Sequence, residues 1–431
     1  MKIKILRKNI ITESIQYPLI ILITLIIICC IYTFFYPLPS EIGEKTIGLG
    51  ANILNIGDRS FYFNESNYEY GYGDIKGGVL YPFLLKFIAI LISKIGFASS
   101  IKLWNMIVIF LASLCSIISL ILIDKSVNII FNKKVATISS LIFVLCPYTI
   151  FYALSGGITI YMTLGCSFLT YIVLNSELFN NSNNCHKLKD TMIFVLIGVL
   201  FLSSLRPTGI LFSLVILMLL VIEISKKYNQ KVIKISKLEK SIICFIFTFC
   251  FLYCFYEIKN SSLYLNYALG NFLSEGGTFF GFEREALRNK IFSSMALDFN
   301  SFKSYFYLFL WKITDFVSGL SDIRDTHSNL EGTPFFPFLI RTFTGIFIIF
   351  PLNLFTFFGI FIFFKRIFYC GLYIPIIASL FCLIPNLIGV SFSRYLVMVY
   401  PPFIILASGV IAILLNAVEE QKRLFTFKKN T

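Results

Sequence analysis

The chain has 431 residues, of which 57% are hydrophobic and 14% charged, with 37 Lys and Arg against 23 Asp and Glu. With a mean hydropathy of +0.82, it cannot be a large soluble domain. Its basic residues fall in short clusters between apolar runs, which excludes a nucleic-acid surface, and the runs are continuous rather than alternating, which excludes a β-barrel.

The sequence predicts an all-α polytopic membrane protein with about ten transmembrane helices. Apolar runs able to cross about 30 Å of hydrocarbon occur near 17–36, 102–123, 136–153, 157–175, 191–205, 208–224, 241–257, 338–364, 370–389 and 395–416. The first follows Lys2, Lys4, Arg7 and Lys8, has no small-residue cleavage site and reads as an uncleaved span. The run Val79 to Ile95 carries Lys86 and Lys94 on one helical side and reads as an amphipathic helix in the outer interface. Counting it as a span would put Lys226, Lys227, Lys231, Lys234, Lys237 and Lys240 outside, against the positive-inside rule. Residues 1–431 then form one transmembrane domain with two substantial outer regions: a first loop with interfacial helices, 37–101, and a long loop, 258–337. The eleven cysteines lie in spans, at span ends or, for Cys185, in a basic loop, and give no disulfide framework.

In the first outer loop, Glu44, Ile47, Ala51 and Leu54 follow helical spacing, so a short helix would carry an acid at its start and rest its apolar side on the membrane. A carboxylate at such a low-dielectric surface suits a general base, and Glu41 stands three residues earlier. The commoner role of first-turn acids is to complement the helix dipole. Asp74 and Lys76, between Gly73 and Gly77, offer one acid and one base on a flexible backbone that can close on a phosphate; a solvated turn is the plainer alternative. Tyr81 ends an aromatic series from Phe61 that reads either as an interfacial belt or as platforms for sugar rings.

Arg206, in Leu205-Arg206-Pro207-Thr208-Gly209, stands between two apolar runs, where a guanidinium is expensive unless it binds something. Arg341 and Arg394, the latter followed by Tyr395, repeat the pattern at other outer span ends. Three such guanidiniums suit a phosphate or diphosphate, whose geometry arginine matches in bidentate fashion; each alone also reads as a snorkelling anchor. Tyr400-Pro401-Pro402 is expected to kink the last span. His186 and His327 have no partner at ligand spacing, so no metal site and no cofactor is expected, and nothing in the sequence supports a divalent cation.

Taken in order, these pieces resemble the GT-C superfamily of polyprenyl-phosphate-sugar glycosyltransferases, most closely the branch of protein mannosyltransferases and aminoarabinose transferases. The resemblance rests on Glu44 with Gly57-Asp58, Leu80-Tyr81-Pro82, Cys146-Pro147 with Phe151-Tyr152, Leu205-Arg206-Pro207 and Ser393-Arg394-Tyr395. It does not cover 258–337, and this chain has Gly43-Glu44 where the family usually has an adjacent Asp-Glu pair. It implies transfer of a sugar from a polyprenyl-phosphate donor to an acceptor glycan, lipid or protein, at the outer face of a bacterial cytoplasmic membrane. Glu44 or Glu41 would be the base; Arg206 and Arg394, with Lys76 and Arg341, would hold the donor phosphate; Asp74, Tyr81 and Tyr395 would contact substrate. A surface-polysaccharide polymerase would need no acid after the first span. A lipid-linked-sugar flippase would show pseudo-symmetric halves, which the lopsided loops lack.

Overall fold

Hydrocarbon offers no water to pair a bare N–H or C=O, so each crossing segment must close its hydrogen bonds within itself. The apolar runs do this as helices in a computed structural model of the chain. The model describes residues 15–35, 80–95, 101–146, 158–180, 187–205, 207–230, 235–260, 345–388 and 399–429, with a few isolated positions between them. Twelve α-helices follow in order among the described residues: α1 (Gln16–Phe35), α2 (Leu80–Lys94), α3 (Ile101–Ile130), α4 (Lys133–Leu145), α5 (Ile158–Leu174), α6 (Leu188–Leu205), α7 (Pro207–Asn229), α8 (Lys237–Asn260), α9 (Phe350–Ile362), entered through a π-helical turn at Gly345–Ile349, α10 (Phe364–Tyr369), α11 (Tyr373–Ile388) and α12 (Tyr400–Lys429). Each of the ten apolar runs falls on one or more of them. Five segments, Met106–Ile130, Leu188–Leu205, Thr208–Asn229, Glu239–Ile258 and Tyr400–Val418, are long and apolar enough to cross a membrane, and shorter apolar helices accompany them. The chain is an all-α, multi-pass membrane protein.

Where helices turn back, the basic segments come together at one end of the bundle. Arg366 of α10 donates to the carbonyl of Ile130, one of the last carbonyls of α3 that has no intrahelical partner, and lies 4.8 Å from the Phe131 ring. Lys227, near the end of α7, sits 4.7 Å from the Phe179 ring in the turn after α5, and Lys134 donates to Asn416 of α12 at 3.0 Å. Two starts at this end carry their own caps. Val135 N donates to Asn132 Oδ1 at 3.1 Å ahead of α4, and Ser236 and Glu239 exchange bonds of 2.9 and 3.2 Å in a capping box ahead of α8.

Between the ends the helices pack through small residues, as they must where lipid tails are as apolar as leucine and only close fit favours one neighbour over another. A Cβ at Gly165 of α5 would lie 2.4 Å from Leu202 of α6, and one at Gly198 of α6 would lie 2.4 Å from Leu169 of α5. Each leucine therefore fills the space the opposite glycine leaves. Several of the hydroxyls buried here turn back on their own helices: Ser119 Oγ donates to the Cys115 carbonyl at 2.7 Å, and Ser167 Oγ to the Thr163 carbonyl at 2.8 Å. Across α9 and α12, Thr356 Oγ1 donates to the Phe403 carbonyl at 3.1 Å.

One sequence expectation changes in detail. Pro401 and Pro402 stand in the first turn of α12, where a missing N–H loses no intrahelical bond, so they begin the described helix and do not kink it. The run Val79 to Ile95 forms a helix, α2, in which Leu85, Ile88 and Ile92 are buried beside Val108 of α3, while Phe83, Phe87 and Leu91 are exposed.

Gly371, after α10, has φ 78° and would place a Cβ 2.5 Å from the Phe179 ring. Both the left-handed backbone and the contact exclude a side chain. Gly371→Ala is expected to cost at least about 1–2 kcal/mol, read as a lowered unfolding midpoint of the purified protein in detergent. An unchanged midpoint would contradict this account of the basic end.

Candidate functional site

At the opposite end of the bundle, α6 stops at Leu205 and α7 starts at Pro207. The sequence dictates both events, because the residue before a proline is pushed out of the helical region and proline itself is pre-set for a first helical position. The two helices run antiparallel, since Leu188 and Tyr228, at their other ends, both lie at the basic end: Leu188 N donates to Glu177 Oε1 at 2.8 Å, and Lys240 of α8 lies 5.5 Å from the Tyr228 ring. A return on so short a link needs the backbones almost in contact. Gly209 supplies this, for a Cβ there would lie 2.1 Å from the Leu202 carbonyl oxygen and 3.2 Å from Met162 Cε of α5.

Neighbouring helices clamp this hairpin. Cys382 of α11 donates its thiol to the Thr208 carbonyl at 3.2 Å, while the Thr208 hydroxyl is buried with no hydrogen-bond partner among the described residues. Ser379 Oγ donates to the Val399 carbonyl at 3.2 Å, tying α11 to the approach to α12. Tyr81, at the head of α2, is half-buried with its ring 5.8 Å from that of Tyr161 on α5.

Of the sequence-predicted site residues, the described structure places Tyr81 alone. Glu41, Glu44, Asp74, Lys76, Arg206, Arg341, Arg394 and Tyr395 lie outside the described residues, as does most of 258–337. For Arg206 both chain neighbours are fixed, with Leu205 buried to 1% exposure. Among the described residues no three His, Cys, Asp or Glu side chains come together to hold a metal ion.

A polar cluster beside the hairpin went unread in the sequence. Glu257, near the end of α8, is 4% exposed and hydrogen-bonded to Tyr253 one turn earlier. The Tyr253 hydroxyl lies 2.7 Å from Ser204 Oγ of α6, and Ser203 Oγ lies 3.5 Å from the Cys254 thiol. The available signal was Ser203-Ser204 directly before Leu205-Arg206, together with a single acid at the end of an apolar run away from the basic clusters. A buried carboxylate, a phenol and a serine thus form a chain that ends two residues before Arg206.

No family model matches the chain, and no curated protein is similar to it. Among solved structures it is similar to the archaeal oligosaccharyltransferase AglB from Archaeoglobus fulgidus, solved in complex with an inhibitory peptide and a dolichol-phosphate. The TM-score is 0.45 at 12% sequence identity, covering 95% of this chain and 51% of AglB, so the chain spans about half the length of that protein. A likeness at this level gives no residue-by-residue correspondence.

Gly209→Ala should force α6 and α7 apart, because the atom met is backbone and cannot rotate away. Overpacking of this kind costs about 1–3 kcal/mol, so the variant should unfold at a lower temperature than Gly198→Ala, where a leucine side chain can shift. Equal midpoints for the two variants would show that the hairpin does not depend on this contact.

Proposed function

We propose that the chain is an integral-membrane glycosyltransferase of the GT-C type, moving a sugar from polyprenyl phosphate to an acceptor hydroxyl. The reaction takes place at the end of the bundle opposite the basic segments, which the positive-inside rule makes the outer face. The observation that carries this reading is the α6–α7 hairpin: two membrane-crossing helices joined through Arg206 alone and held by Gly209, at the end opposite the basic clusters. A guanidinium at the rim of a low-dielectric bundle attracts an anion more strongly than one in water. A donor whose lipid tail lies in the bilayer brings its phosphate to that depth.

In the reaction, the acceptor oxygen forms a bond to the anomeric carbon as the bond from that carbon to the phosphate oxygen breaks, with inversion. The electron pair leaves on the lipid phosphate, and the acceptor proton passes to Glu44 or Glu41 acting as base. Arg206 and Arg394, with Arg341 and Lys76, meet the charge that grows on the departing phosphate, and the arginines can do so with two parallel N–H bonds. Asp74, Tyr81 and Tyr395 contact the sugar or the acceptor.

Arg206→Lys should lower transfer by about 10²–10³-fold, the usual loss when one donor to a developing charge is removed, and should also weaken binding of polyprenyl phosphate, because an ammonium cannot reproduce the two-pronged contact. Glu44→Gln should abolish transfer while leaving that binding intact. Wild-type rates in Arg206→Lys would return Arg206 to an anchoring role. Wild-type rates in both Glu44→Gln and Glu41→Gln would remove the base from the first loop.

A further inference from the structure

Helices α6, α7 and α8 pack against one another, and at the basic end they bring together more cations than their acids answer. Lys187 and Lys189 stand at the start of α6 and Lys237 and Lys240 at the start of α8, all four exposed. Lys231 and Lys234, between α7 and α8, lie outside the described residues. The acids at this corner are spent on other tasks. Glu177 accepts from the backbone N–H of Leu188 at 2.8 Å, and Glu239 is held in the capping box by Ser236 N and Oγ at 2.9 and 2.8 Å. Glu223 lies 3.8 Å from Lys226, and Asp190 is exposed in the first turn of α6. Among the described residues none of the four lysines makes an ion pair, the pair of Lys226 with Glu223 being the one formed at this corner.

The four lysines belong to one place. Lys187 and Lys189 act electrostatically on Glu239 in the first turn of α8, and Lys240, one residue further along α8, lies 5.5 Å from the Tyr228 ring at the end of α7. A ring attracts an ammonium without cancelling its charge, so Lys240 is oriented and still able to bind an anion.

What lies below the lysines selects the anion. Residues four apart share one face of a helix. On α6 that spacing leads from Lys189 to Ile193 and Ile197, and on α8 it leads from Lys237 through Ser241 to Phe245 and Phe249, all of them exposed. Each helix thus carries a charged head over an apolar stripe within a membrane-crossing segment. An anionic phospholipid has the complementary shape, with a phosphate at headgroup depth and acyl chains below it. A soluble anion or an acidic protein segment would use the lysines and leave the stripes without a role.

We propose that the corner formed by α6, α7 and α8 at the basic end binds an anionic phospholipid of the surrounding leaflet, its phosphate on Lys187, Lys189, Lys237 and Lys240 and its acyl chains along the two stripes. The site lies at the opposite end of the bundle from Arg206 and does not rest on the transferase reading. Because the lipid binds the packed helices and not separated ones, it stabilises the group that carries the α6–α7 hairpin.

The full-length protein in detergent is titrated with phosphatidylglycerol or with phosphatidylcholine of the same acyl chains, with bound lipid read by native mass spectrometry and the unfolding midpoint followed alongside. Wild type should bind phosphatidylglycerol about tenfold more tightly or better, the scale of two or more lysines beside an anionic headgroup, and its midpoint should rise more with that lipid. The triple variant Lys189→Gln, Lys237→Gln, Lys240→Gln should lose the preference, and arginine at the same three positions should keep it. The triple variant Lys133→Gln, Lys134→Gln, Lys365→Gln, which removes the same charge elsewhere at the basic end, should also keep it. Loss of these cations can impair insertion, so wild type alone supplies a second test. Phosphatidylglycerol carrying a photoreactive group beside its phosphate, in phosphatidylcholine bilayers, should label peptides covering 187–193 and 225–241, and unlabelled phosphatidylglycerol should compete where inorganic phosphate does not. Equal binding of the two lipids by wild type, equal loss of preference in the two glutamine variants, a label spread evenly over the basic segments, or competition by inorganic phosphate would each overturn the proposal.

Discussion

The approach of Gly209 to the carbonyl of Leu202 is the contact on which the functional end of this molecule depends. Two membrane-crossing helices can reverse direction across one residue only if their backbones nearly touch, and any side chain at Gly209 prevents that. Pro207 places the break and Leu205 before it is buried; the residue between them in the sequence is Arg206. Cys382 of α11 and Met162 of α5 close on the same turn, which joins four helices at one point. Under the proposed transferase reading, the expense of an arginine between two apolar runs is offset by an anion arriving from the bilayer.

The two ends of the bundle differ in the work their polar groups do. At the basic end, cations close the structure: Arg366 takes the spare carbonyl of α3, Lys227 rests on Phe179, and Ser236 with Glu239 caps α8. These groups are used up in ending helices. At the other end, among the described residues, hydroxyls and thiols bond to one another between helices, as in Ser204 with Tyr253 and Ser203 with Cys254.

Much of the fold was legible in the sequence because its cause is one-dimensional. An apolar run either is long enough to cross or is not, and each of the ten runs became helix. The basic clusters likewise announced which ends would meet, and Leu205-Arg206-Pro207-Thr208-Gly209 announced a break. Pro401 and Pro402 misled because a proline pair looks the same inside a helix as at its start, and only the backbone shows which residues carry spare N–H groups. Glu257 was missed for a different reason. An acid at the end of an apolar run reads as a residue at the water boundary, and only the pairing of α6 with α8 buries it. That lateral pairing, in which Ser203 meets Cys254 and Ser204 meets Tyr253, leaves no periodic mark on the sequence. The loop acids and the remaining arginines of the candidate site fall outside the described residues, so their place in the site rests on sequence alone.

The central claim is that a lipid-linked phosphate sits at the α6–α7 hairpin. It is tested most directly by a polyprenyl phosphate carrying a photoreactive group beside its phosphate, activated on the full-length protein in lipid bilayers, with the labelled peptides mapped by mass spectrometry. The label should fall within 200–210, and unlabelled polyprenyl phosphate should compete it away. A label that falls instead on the basic segment 225–240, or that is insensitive to competition, would contradict the account.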